Sequence, residues 1–141
     1  YYSWRLSMSS TLTVTNLTAT NITDGAGTTL TFNNVTSGSA KAWVNLNGTG
    51  TAAVRDSFNN ASITDNGTGD YSTTVTNAFA NVNYACVATA GQNSGDQASA
   101  SNNEAGSNRT ATVIRTQVLR STSDSHLDVS VCELTKFGDL A

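Results

Sequence analysis

The stretch KAWVNLNGTGTAAVRDSFNNASITDNGTGDY, residues 41–71, decides the fold. Its apolar residues come in short runs, and the runs are separated by glycine-bearing turns rather than by helix caps. Residues 40–46 (AKAWVNL) read as an apolar-rich strand, 47–50 (NGTG) as a turn, 51–58 (TAAVRDSF) as a second strand and 61–64 as a third. Asp65-Asn66-Gly67-Thr68-Gly69 is the strongest hairpin signal in the chain, because Asn-Gly supplies the positive φ angles of a tight turn. Residues 70–75 (DYSTTV) then alternate, with Tyr71, Thr73 and Val75 on one face. A turn at Asn66-Gly67 pairs 61–64 with 70–75 and sets Ile63 and Tyr71 toward the core, since a one-residue slip turns both outward.

Downstream, residues 84–89 (YACVAT) are apolar on both faces and read as a central strand. Residues 90–108 form a long insert of Gly, Ser, Asn, Gln and Ala without a large apolar side chain. Residues 109–120 and 126–137 are two further strands joined by 121–125. About seven short, regularly spaced strands argue for a β-sandwich. Alternation predicts a core of Trp43, Val54, Phe58, Ile63, Tyr71, Val75, Phe79, Tyr84, Cys86, Val87, Val113, Leu127, Val129 and Val131. Cys86 and Cys132 both fall in apolar strand segments. Two buried, inert thiols are one reading. A disulfide between neighbouring strands is the other, and it needs Cα atoms about 5.5–6 Å apart.

Upstream the composition changes. Residues 11–36 carry a single charge, Asp24, and an imperfect repeat, VTNLT followed by ATNIT. Leu12, Val14, Leu17, Ala19, Ile22, Leu30, Phe32 and Val35 are too sparse for one copy to offset its ordering entropy. Several copies wound about an axis bury a shared apolar stripe, which is the design of a fibre shaft. Three parallel chains suit the spacing of about one apolar residue in three. The expected organisation is therefore an N-terminal attachment or extraneous segment at 1–10, a Thr/Asn-rich shaft at 11–38 and an all-β sandwich knob at 39–141. Asp24-Gly25-Ala26-Gly27 is a turn or break within the shaft. The opening YYSWRLS departs from all that follows, either as an extraneous remnant or as an apolar hook that docks the subunit. No apolar run near the start matches a secretory core, so no signal peptide is expected.

Composition excludes several functions. Ser, Thr and Asn together make up about 40% of the 141 residues, roughly twice the usual share. Charged residues are 12% and there is no proline. A net charge of −3, with seven scattered Lys and Arg, opposes nucleic-acid binding, which needs a basic face. No run approaches the roughly 20 apolar residues of a membrane-spanning helix.

Within residues 41–71, KAWVNL at 41–46, the Gly48-Thr49-Gly50 turn, Ser57-Phe58-Asn59 and ITDNGTGDY at 63–71 together resemble a module of tail-fibre-like virion proteins of tailed bacteriophages, especially marine and cyanobacterial ones. Asn83-Tyr84-Ala85 is similar to the same module. The chain departs from it in Leu46, where an aromatic is usual, and in its two cysteines. The resemblance implies a homotrimeric, fibrous virion part, assembled in the host bacterial cytoplasm. Its N-terminus would hold other virion proteins, and its C-terminal β knob would meet a host surface glycan or protein. A head-decorating or fibre-stabilising subunit, and a bacterial adhesin or carbohydrate-binding module, are the alternatives.

No catalytic constellation is expected, and no cofactor. His126 is the only histidine and lies between Asp124 and Asp128, without a nucleophile-elbow serine anywhere in the chain. Asp56, Asp65 and Asp70 are the carboxylates a glycosidase would need, but a strand neighbour and a turn explain them more simply. Asp65 and Asp70 also bracket a fragment resembling a calcium loop, which lacks the closing bidentate glutamate. The expected receptor-binding surface is the 90–108 insert, through Gln92, Asn93, Asp96, Gln97, Asn102 and Asn103, whose polar groups can hydrogen-bond sugar hydroxyls. Trp43, Tyr71 and Tyr84 have the shape to stack on a sugar, but alternation places them in the core.

Overall fold

The computed structural model describes residues 21–23, 27, 29–31, 36–91, 97–103 and 108–141. The described residues are all-β apart from a helical turn at 36–38. β1 (Asn21–Thr23) and β2 (Thr29–Thr31) form a small antiparallel hairpin, with Ile22 opposite Leu30. Of the expected turn or break between them, residues 24–26 lie outside the described residues, and Gly27 has φ +87°. The segment 1–20 lies outside the described residues.

The remaining strands are β3 (Ala42–Asn47), β4 (Ala53–Phe58), β5 (Asn60–Gly67), β6 (Asp70–Val75), β7 (Ala85–Ala90), β8 (Ala98–Asn103), β9 (Val113–Arg120) and β10 (Cys132–Phe137). They build two antiparallel four-stranded sheets, ordered β4-β3-β10-β7 and β5-β6-β9-β8. The inner faces share one core. Val44 and Leu46 of β3 and Leu134 of β10 meet Tyr71 of β6 and Ile114 and Val118 of β9. Phe79 stacks on Tyr84 at one end, with ring centroids 4.3 Å apart.

The largest correction to the sequence reading is which faces of three strands are buried. In β3 the small residues Ala42, Val44 and Leu46 point inward, and Trp43, Asn45 and Asn47 point outward. Burying Trp43 instead would take both asparagines into the core without partners, at a cost of about 1–3 kcal/mol each. β7, expected to be buried on both faces, turns Cys86, Ala88 and Ala90 inward and leaves Val87 56% exposed. It is an edge strand, not a central one. β9 buries Ile114, Thr116 and Val118, so Val113 faces away from the core. On β4, the opposite edge, Val54 and Phe58 are exposed at 38% and 54%. Ile63 and Val131 are only half-buried.

Three further elements differ. The 90–108 insert contains β8, which pairs with β9 over six residues. Alanine and serine suffice there because Ala98 and Ala100 need only fill space beside larger neighbours. The run 126–137 becomes a strand only at Cys132. Before it, Leu127 and Val129 are buried in an irregular segment that closes one side of the core. Finally, the hairpin turns at Thr68-Gly69, because Gly67 is paired with Asp70 and Asp65 with Tyr71, leaving Asn66 as a bulge. Gly69 has φ +60°, and a Cβ there would lie 2.6 Å from the Val118 carbonyl and 2.7 Å from the Leu127 backbone. That close approach of two backbones, available only to glycine, overrides the local preference of Asn-Gly. Asn66 spends its amide on Ser72 Oγ at 2.9 Å instead.

Candidate functional site

Of the six polar residues expected to bind, three are described, and Asn102 and Asn103 are held by hydrogen bonds within the fold. Gln92, Asn93 and Asp96 lie outside the described residues. Gln97 is exposed and its carbonyl accepts from the Ser121 amide. Asn102 and Asn103 are not in a loop but on β8. The Asn102 amide donates to the Cys86 carbonyl at 3.0 Å and accepts from the Thr116 hydroxyl at 3.2 Å. Asn103 accepts from the Asn108 amide at 3.0 Å. Asn102 therefore ties the two sheets together and does not face a ligand.

The calcium fragment is also spoken for. Both Asp70 oxygens are taken by the Arg115 guanidinium, at 2.7 and 2.6 Å, and Gln117 adds a bond at 3.1 Å. The Arg115 hydrogen bond holds the Asp70 carboxyl below its ordinary pKa. Asp65 accepts from the Gly67 amide at 2.9 Å. Among the described residues, no three of His, Cys, Asp and Glu converge as metal ligands. His126 is exposed and bridges only the backbone of Leu119. Asp128 beside it receives the Tyr71 hydroxyl at 2.8 Å and the Gly69 amide at 2.7 Å. Cys86 and Cys132 are not joined in a disulfide. They sit on neighbouring strands, but Cys86 pairs with Lys136 and Cys132 with Ala90, a four-residue offset that separates them by about 13 Å along the sheet.

What the outward phase of β3 creates is a structured surface on the first sheet. Two rows of side chains cross all four strands. The first runs Phe58, Trp43, Thr135, Val87, and the second Asp56, Asn45, Glu133, Thr89. The rows are two residues apart along each strand, about 7 Å. The first row supplies apolar and aromatic surface. The second is a hydrogen-bonded ladder: Asn45 Nδ2 donates to Glu133 Oε1 at 2.8 Å, and Thr89 Oγ1 to Glu133 Oε2 at 3.4 Å. Arg55 joins it from β4, donating to Asn45 Oδ1 at 3.4 Å and to the Leu46 carbonyl at 3.3 Å.

Trp43, Asn45, Arg55, Asp56, Glu133 and Thr135 line an open, shallow cleft of about 430 Å³ along these rows. A flat aromatic face beside fixed amide, carboxylate and guanidinium groups provides stacking and directed hydrogen bonds together. The sequence signal was the alternation of AWVNLN, in which both phases are apolar enough to be plausible. The asparagines at 45 and 47 were the cue to the correct one. No family model, curated protein or solved structure matches this chain.

Proposed function

We propose that this chain is a non-enzymatic fibre-type subunit of a tailed-bacteriophage virion, and that its β knob attaches to a saccharide on the host surface through the Trp43 face. The virion assignment rests on the resemblance at residues 41–71. The single observation carrying the attachment role is the pair of rows on the outer sheet face, with Trp43 and exposed Phe58 beside the Asn45–Glu133 ladder. Sugar rings present apolar C–H faces and equatorial hydroxyls, and those two features are what the two rows complement. The open cleft admits an internal unit of a polymer as well as a chain end.

The proposed assembly is a parallel homotrimer held by the Thr/Asn-rich shaft, with the N-terminal segment contacting other virion proteins. Three knobs on one shaft raise avidity without a tight single site. A head-decorating or fibre-stabilising role without a receptor is the second reading, favoured by the apolar exposure of Val54, Phe58 and Val87, which also suits protein packing. Two experiments decide. Antibody labelling of intact particles should place the subunit at a tail fibre. The recombinant chain should bind susceptible cells and compete with the phage. Labelling at the head, with no cell binding, would favour the second reading.

A further inference from the structure

Polar side chains meet between the sheets around Lys136. Lys136 on β10 and Cys86 on β7 are directly opposed in the ladder, and both face inward. Across from them stand Thr73, Thr116 and Asn102 of the second sheet. Lys136 is 2% exposed and donates from Nζ to Thr73 Oγ1 at 2.8 Å. Cys86 Sγ lies 3.7 Å from Asn102 Oδ1.

Neither the attachment face nor the fold's apolar core uses this amine. An ammonium this deeply buried is costly unless it is paired with a carboxylate, and among the described residues its partner is a neutral hydroxyl. Burial accordingly lowers the Lys136 pKa to about 8, which raises the share of free, nucleophilic amine. Directly opposed residues have Cβ atoms about 4.5–5.5 Å apart, so the flexible lysine stem can bring Nζ to the thiol by a rotamer change. Cys86 is only half-buried and sits on an edge strand, where a small oxidant can reach it.

We propose that Cys86 and Lys136 form an oxidative cross-link in which one oxygen atom bridges Sγ and Nζ, with dioxygen as the oxidant. The thiol gives up its hydrogen and the neutral amine gives up one of its two. One oxygen atom enters between sulfur and nitrogen, and the other leaves with those hydrogens as water. Sulfur and nitrogen each lose two electrons, and dioxygen takes up four. The bridge ties edge strand β7 covalently to β10, and thiol reductants reverse it. This proposal does not depend on the attachment role.

The test is intact-mass and peptide mass spectrometry of the full wild-type chain, purified under reductant and then exposed to air. The expected result is a gain of one oxygen less two hydrogens. A proteolytic fragment should join the Cys86 and Lys136 peptides, and dithiothreitol should restore the starting mass. Cys86→Ser should abolish the shift. A gain of whole oxygens confined to Cys86, the ordinary thiol oxidation ladder, would overturn the proposal. So would an unchanged mass, or loss of one ammonia with Lys136 joined to Asn102, which marks an amide link instead.

Discussion

Gly69 and Lys136 show how single residues are set by the packing around them. Gly69 brings the hairpin turn against the backbones of Val118 and Leu127, so a side chain there has no room and an unfavourable φ. Gly69→Ala should cost on the order of 3 kcal/mol, from strain and backbone displacement together. Gly67 has nothing within 4 Å of its would-be Cβ, and only its φ of +128° resists substitution. Gly67→Ala should therefore cost less than Gly69→Ala, and paired urea melts check the order. Lys136 makes a pH prediction. Its pKa falls from 10.5 to about 8 on folding, so between those values the unfolded state holds a proton that the folded state lacks. Stability from this group rises with pH across that window, by on the order of 3 kcal/mol. Burial pushes the Cys132 thiol up to about 12, and that group works in the opposite direction above pH 9. Comparing wild type with Lys136→Met, which retains Cys132, isolates the lysine. Wild type should gain on the variant as pH rises from 8 to 10.5, and a constant difference would refute the lysine's role.

At the scale of the element, strand existence was legible and strand phase was not. Residues 70–75 were read with the correct bounds and faces because Tyr71, Thr73 and Val75 alternate with polar residues. β3 is misphased in the sequence reading, and β7 is read as buried on both faces, because both faces of each carry apolar residues. The choice is made by the opposing sheet and by where Asn45, Asn47 and Thr89 can remain hydrated. β8 was missed because its alanines and serines carry no strand propensity. It exists because β9 offers an open edge, and because Asn102 bridges to Cys86 and Thr116. Asn102→Ala should thus loosen this edge by about 1–3 kcal/mol, since the Thr116 hydroxyl and the Cys86 carbonyl lose a partner. Hydrogen exchange should show faster loss of protection in Ala98–Asn103 than in Asp70–Val75 of the same variant. Equal loss in both would mean that Asn102 supports the whole sandwich rather than its edge.

For the whole molecule, the misread phase and the missed site are one event. With Trp43 turned outward, the core is built from Val, Leu and Ile around Tyr71, with Phe79 and Tyr84 at one end, and Trp43 and Phe58 give the outer sheet face an aromatic surface. The described part of the insert, residues 97–103, carries β8. The attachment reading gives Trp43 a defined role, and its fluorescence makes that role observable. The most direct measurement is an isotherm, by tryptophan fluorescence and by retention on immobilised polysaccharide, against a panel of bacterial surface polysaccharides, for wild type and Trp43→Ala. The wild-type chain should bind at least one polysaccharide. Trp43→Ala should bind it at least tenfold more weakly, about 1.4 kcal/mol, while keeping its far-UV spectrum and urea midpoint. Undiminished binding by Trp43→Ala, or no binding by wild type anywhere in the panel, would contradict the outer sheet face as the attachment surface.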